Sequence, residues 1–135
     1  MSDKLLKQVE SLAKTLMACA ERDDEKSFHK AYEELKTLCD LHPDSLVAWE
    51  TLADFTEDFE LAVSLYKGVL EKAEATESRD YVSSVSYSLA QLFFELGKKD
   101  DALRCIDKAK GSSKGSPDKQ LISDIAELEA VLLSK

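Results

Sequence analysis

Apolar residues recur along this chain every three or four positions, and no period-two run interrupts them. Leu5, Val9, Leu12, Leu16 and Cys19 trace one stripe and predict a helix from about Asp3 to Glu21. The polar run "RDDEK" breaks it. Phe28, Ala31, Leu35 and Leu38 then give a second helix that ends before Pro43, because proline drives the preceding residue, His42, away from helical geometry. Asp44 or Ser45 can cap a third helix that runs to about Thr56, their side-chain oxygens accepting from free backbone N–H groups. Leu61, Leu65, Val69 and Ala73 are in phase in a fourth. A fifth spans about Arg79 to Leu96, with Gly97 placed where a left-handed capping residue belongs. "KDDALRCIDKA" is a sixth, and the glycine-rich "GSSKGSP" reads as a loop. Ser116, Pro117 and Asp118 then supply a cap, a fixed φ and a negative charge for a seventh helix ending near Leu133. Seven helices on short turns predict an all-α fold of antiparallel pairs.

The pattern also repeats. Ala31-x3-Leu35 followed by Pro43 aligns with Ala62-x3-Tyr66 and with Ala102-x3-Ile106. Trp49-x2-Leu52-Ala53 precedes the second of these, and Leu89-Ala90-x2-Phe93 with Gly97 precedes or flanks the third. This resembles the tetratricopeptide repeat (TPR), a helix–turn–helix unit of about 34 residues. Counting from Pro43 as the closing proline, the next unit places its tryptophan at residue 49, where Trp49 stands. The resemblance implies one domain over residues 1–135, with repeats at about 12–45, 46–82 and 83–116 and a capping helix at about 117–133. It implies a right-handed superhelical stack in which small residues (Ala31, Ala53, Ala62, Ala90, Ala102) let helices approach and large ones fill the space between them. There are departures. Thr15 occupies the first repeat's tryptophan position, the second repeat is three residues short between Leu52 and Ala62, which predicts a tight turn, and extra residues follow near "EATESRD".

Charge sharpens this picture. The chain of 135 residues has a net charge of −9, and it is unevenly spread. From Glu21 to Glu60 there are 13 acidic and 4 basic residues, while the remainder holds 14 of each. No lysine or arginine occurs between Lys36 and Lys67. Such a surface disfavours a phosphate backbone as partner and attracts basic or mixed-charge surfaces. No stretch is apolar and long enough to span a membrane, and the start "MSDKLLKQVESLAK" has no continuous apolar core of a signal peptide. Cys19, Cys39 and Cys105 have no paired spacing, which suits a reducing compartment, so a cytoplasmic location is expected.

Little in the chain points to catalysis. No phosphate-binding glycine loop, nucleophile elbow or paired metal-ligand motif is present. Cys39 and His42 form C-x2-H, which could begin a zinc site, but no second pair follows, and the three cysteines read as small buried residues. The acid pairs Asp23–Asp24, Glu33–Glu34 and Asp100–Asp101 read as caps and solvated faces, and "SSVSYS" as a close-packed helix face. The expectation is a non-enzyme with no cofactor and no metal.

In the TPR family the first helix of each pair lines a concave groove that holds a partner segment. Carried over by register, the groove positions are Leu16, Met17 and Asp23 in the first repeat (with Ala13 and Ala20), Glu50, Asp54 and Glu57 in the second (with Val47 and Thr51), and Tyr87, Gln91 and Phe94 in the third (with Ser84 and Ser88). One subclass grips acidic chaperone tails through a carboxylate clamp of Lys, Arg and Asn. None of those types occupies these positions here, and the chain contains no Asn. Glu50 and Asp54 would repel a carboxylate. The resemblance therefore implies a small acidic adaptor or chaperone that binds a basic or neutral segment of another protein, with no nucleic-acid or membrane partner. An acidic inhibitor or immunity protein covering the basic site of a toxin or nucleic-acid enzyme is the alternative, and self-association is possible as well.

Overall fold

A computed structural model describes residues 3–134, and among them lie seven helices and no strand. The helices are α1 (Asp3–Glu21), α2 (Glu25–Leu41), α3 (Leu46–Asp54), α4 (Phe59–Ala75), α5 (Arg79–Glu95), α6 (Lys99–Ser113) and α7 (Lys119–Leu133). The chain divides into two compact units, Met1–Leu65 and Tyr66–Lys135, with α4 running from the first into the second.

In the first unit, α1, α2 and α3 all pack on one another. The apolar stripes explain why. Leu5, Val9 and Leu16 of α1, Ala31, Leu35 and Cys39 of α2, and Ala48 and Leu52 of α3 form one buried cluster. Trp49, Leu12, Phe28, Tyr32 and Leu65 lean on it, half-buried. Pro43 ends α2 as expected. The His42 N–H closes the helix onto the carbonyls of Leu38 and Cys39, and the Ser45 hydroxyl accepts from the Ala48 N–H at 3.2 Å to start α3. The shortfall expected between Leu52 and Ala62 falls on the helix and not on the turn: α3 has 9 residues, and a four-residue link, 55–58, follows it. The link is held by polar side chains. Thr56 donates its hydroxyl to the Leu52 carbonyl at 2.7 Å, and Asp58 Oδ1 accepts from the N–H groups of Glu60 and Leu61 at 3.0 and 3.2 Å.

In the second unit, α5, α6 and α7 pack on one another. Helix α5 buries a continuous face, including Val85, Leu89, Ala90 and Phe93 together with Ser83 and Ser86. Ser83 reaches Ser112 of α6 at 2.9 Å, so "SSVSYS" is packing. The start of "GSSKGSP" is not a loop. Helix α6 continues through Ser113, because Ser112 and Ser113 bond back to the carbonyls of Lys108 and Lys110, and Arg79 donates to the carbonyls of Gly111 and Lys114. Helix α7 starts later than expected, at Lys119. Its cap is the Asp118 carboxylate, which accepts from the Leu121 N–H at 3.0 Å, while the Ser116 hydroxyl only accepts from Asp118 just outside the helix.

Three helices end in the same way. Asp23 after α1, Glu77 after α4 and Gly97 after α5 have φ of 59°, 54° and 76°. In each case the following N–H reaches back five residues, Asp24 to Cys19, Ser78 to Ala73 and Lys98 to Phe93, at 2.9, 2.8 and 2.8 Å. This is the Schellman closure, which favours glycine at the left-handed position. Gly97→Ala is therefore expected to cost about 1 kcal/mol, although a Cβ there meets no atom, because the left-handed backbone alone opposes it. Glu77→Gly should raise the melting temperature for the converse reason, and thermal unfolding followed by circular dichroism checks both signs.

Candidate functional site

The turn between α1 and α2 and the link between α3 and α4 lie side by side in the first unit and enclose a cleft of about 660 Å³. Its rim is acidic. The α1–α2 turn and the start of α2 bring Asp23, Asp24 and Glu25, the next turns of α2 bring Glu33, and the α3–α4 link brings Glu57 and Asp58. No lysine or arginine lines it. His29 also lines it, its Nε2 3.9 Å from Glu33 Oε1.

The floor is apolar and largely aromatic: the half-buried Phe28, Tyr32 and Phe55 with the buried Cys19, while Leu61 and Ala20 are exposed at its edge. Phe28 and Phe55 meet edge to face, their ring centres 6.4 Å apart and their planes at 63°. Tyr32 is oriented by a 2.7 Å hydrogen bond to the Thr56 hydroxyl, and Thr56 spends its own proton on the Leu52 carbonyl, so the tyrosine donates. Asp24 has a second task. As the cap of α2 it accepts from the Ser27 N–H at 3.1 Å, and this bond, followed by that of the Ser27 side chain, holds its carboxyl below the ordinary 3.8, with Arg22 adding. Arg22 stands at the margin, its Nη2 3.8 Å from Asp24 Oδ2 and 3.7 Å from the Cys19 sulfur.

The residues expected from register distribute unevenly. Asp23 and Glu57 line the cleft. Leu16, expected in the groove, is not at the surface. It is 0 % exposed at the centre of the first unit's core, since its stripe on α1 faces α2 and α3. Met17, one residue on, is 55 % exposed. Glu50 is half-buried and Asp54 exposed, one turn apart on α3 and outside the cleft lining. Tyr87, Gln91 and Phe94 lie on α5 in the second unit, Gln91 exposed and the two aromatics half-buried. Tyr87 sits beside α7, and partial burial, then the nearby Asp124 and Glu127, pushes its phenol up.

Register reasoning missed Asp24, Glu25, Glu33 and Asp58 as rim, and Phe28, Tyr32, Phe55 and Leu61 as apolar lining. A larger hollow of about 800 Å³ runs along α1 and α2, but its lining mixes Lys4 and Lys7 with Glu34 and offers no aromatic ring, so size is a poorer guide than chemistry here. A third, of about 250 Å³, lies in the second unit around Tyr81, Ser84 and Pro117. Among the described residues no three His, Cys, Asp or Glu side chains converge as a metal-holding set. Cys39 is inert in its surroundings, because burial, with Asp40 adding, pushes its thiol up to about 12. No helix among the described residues is long and apolar enough to cross a membrane.

No protein-family model and no curated protein sequence matches this chain. Solved structures do. The type III secretion translocator chaperone SycD of Yersinia enterocolitica, in a crystal structure of an alternative dimer, is similar at a TM-score of 0.72 and 15% identity, covering 98% of this chain and 93% of that one. The N-terminal domain of stress-induced protein-1 (STI-1) from C. elegans is similar at a TM-score of 0.61 and 15% identity, covering 95% of this chain and 99% of that one. Both are TPR-like helical proteins, and at this identity the likeness carries the fold: an all-α, TPR-like arrangement of the seven helices among the described residues.

Proposed function

We propose that this TPR-like chain is a non-catalytic protein-interaction module, three repeats and a capping helix, whose acidic cleft in the first unit takes a basic segment of another protein. The observation that carries this reading is the cleft's composition. Six carboxylates and no lysine or arginine surround an aromatic floor, so a cationic segment gains charge attraction at the rim and apolar contact below it. A neutral segment keeps only the second of these. The fold neighbours, one of them named as a translocator chaperone, make a binding role the natural use of such a surface. The cytoplasm is the compartment expected of a protein with three free thiols.

The test is a charge reversal that spares the helix caps. Glu33 and Glu57 line the cleft, and neither side chain caps a helix, unlike Asp24 and Asp58. Glu33→Lys/Glu57→Lys is expected to weaken binding of a fluorescein-labelled lysine- and arginine-rich peptide by about tenfold or more at ordinary ionic strength. Glu50→Lys/Asp54→Lys, outside the cleft, should weaken it less. Fluorescence anisotropy reads the affinity and circular dichroism confirms the helices. Equal binding by the wild type and the cleft variant would remove the cleft from the interaction. In a partner later identified as an enzyme, loss of its activity on binding would mark the inhibitor form of the same role.

A further inference from the structure

We propose that the acidic cleft of the first unit reads a guanidinium, taking an arginine side chain of the partner segment in preference to lysine. This rests on the interaction reading above and names the group that the cleft selects.

Carboxylates alone would not distinguish the two cations, since both satisfy simple charge attraction. The floor makes the difference. Guanidinium is planar and weakly hydrated, stacks on aromatic faces and forks onto a carboxylate, whereas ammonium is a compact, strongly hydrated point charge. The cleft offers both complements in one hollow. Phe28 and Phe55, with planes at 63°, form an aromatic corner, and Tyr32 is pinned in place by Thr56. Glu33 and Glu57 stand on the rim around them.

One rim carboxylate already pairs with a guanidinium. The chain's own Arg22 rests its guanidinium at the cleft margin, 3.8 Å from the Asp24 carboxylate and 3.7 Å from the Cys19 sulfur, both lining groups. The cleft's volume, about 660 Å³, falls within the ordinary range for small-ligand sites, so a side chain can enter with its neighbours.

Single residues suffice as probes. The full chain, labelled with ¹⁵N, is titrated with Nα-acetyl-arginine amide, Nα-acetyl-lysine amide and the neutral, isosteric citrulline amide, and backbone amide shifts are followed. The expected result is a set of shifts confined to about residues 19–33 and 55–61, saturating at roughly threefold to tenfold lower concentration for arginine than for lysine, with citrulline weakest. Phe55→Leu and Phe28→Leu each keep apolar bulk and remove a ring, and either one should erase the arginine preference while leaving lysine binding unchanged. Equal saturation by arginine and lysine at the cleft, or a preference that survives both ring substitutions, overturns the guanidinium inference and leaves the basic-segment reading standing. Shifts that fall elsewhere, or that persist in Glu33→Lys/Glu57→Lys, overturn both.

Discussion

Leu16→Ala is expected to lower folding stability by about 3 kcal/mol, and Met17→Ala, one position away, by no more than about 0.5 kcal/mol. Leu16 is 0 % exposed and belongs to the cluster that joins α1 to α2 and α3. Truncation there removes buried methyl groups and leaves a hole that helix backbones on several sides cannot close, so the lost transfer energy and the cavity cost add. Met17 points its flexible side chain largely to solvent, at 55 % exposure, and alanine is the better helix former. Urea unfolding gives the two values directly, and the thermal midpoint should fall by about 10 °C for the first variant and hardly move for the second. Similar costs for the two would mean that α1 does not present Leu16 to the core. The contrast also bears on binding: Met17→Ala can alter capture of a partner without unfolding the chain, while any loss of binding in Leu16→Ala is a consequence of lost structure.

Leu16 shows where a sequence pattern is strong and where it is weak. Its three-to-four spacing with Val9, Leu12 and Cys19 already puts it on the apolar stripe, and the structure agrees with the stripe over the groove register. Helix existence was legible throughout for the same reason, as was the Pro43–Ser45–Trp49 junction, where proline, a capping hydroxyl and a large ring each act locally. The left-handed closures that follow α1 and α4 were not. Gly97 announces a left-handed residue, but Asp23 and Glu77 do the same job with side chains that give no such signal. The candidate cleft was half legible. The basic-poor run from Glu21 to Glu60 marks its charge, and Asp23 and Glu57 were named. Its floor was hidden, because Phe28 and Tyr32 sit at core-like spacing on α2 and only the approach of the α3–α4 link, through Thr56 and Phe55, turns them into the lining of a hollow. The shortfall between Leu52 and Ala62 was visible in the sequence and was expected as a tight turn, whereas the structure shortens α3 to 9 residues and keeps a four-residue link.

Ala102→Leu in the second unit is expected to cost about 3 kcal/mol, while Gly111→Ala, further along the same helix, is expected to add up to about 1 kcal/mol of stability. Ala102 is 0 % exposed on α6, the helix that packs against both α5 and α7. The small side chain sets how closely α6 can approach its neighbours, and Ala90 on α5 is equally buried. An isobutyl group at this fully buried position overpacks the interior, so α6 or the helices packed on it must shift. Gly111 is the opposite case. It lies inside α6 near its C-terminus, a Cβ there meets nothing within 4 Å, and the bond it accepts from Arg79 Nη2 is to its backbone carbonyl, which alanine keeps. Alanine at 111 therefore only removes conformational freedom from the unfolded chain and favours the helix. Urea titrations of the two variants should move in opposite directions. A neutral Ala102→Leu would show slack between α6 and its neighbours, and a destabilising Gly111→Ala would show that the "GSS" stretch does not remain helical in solution.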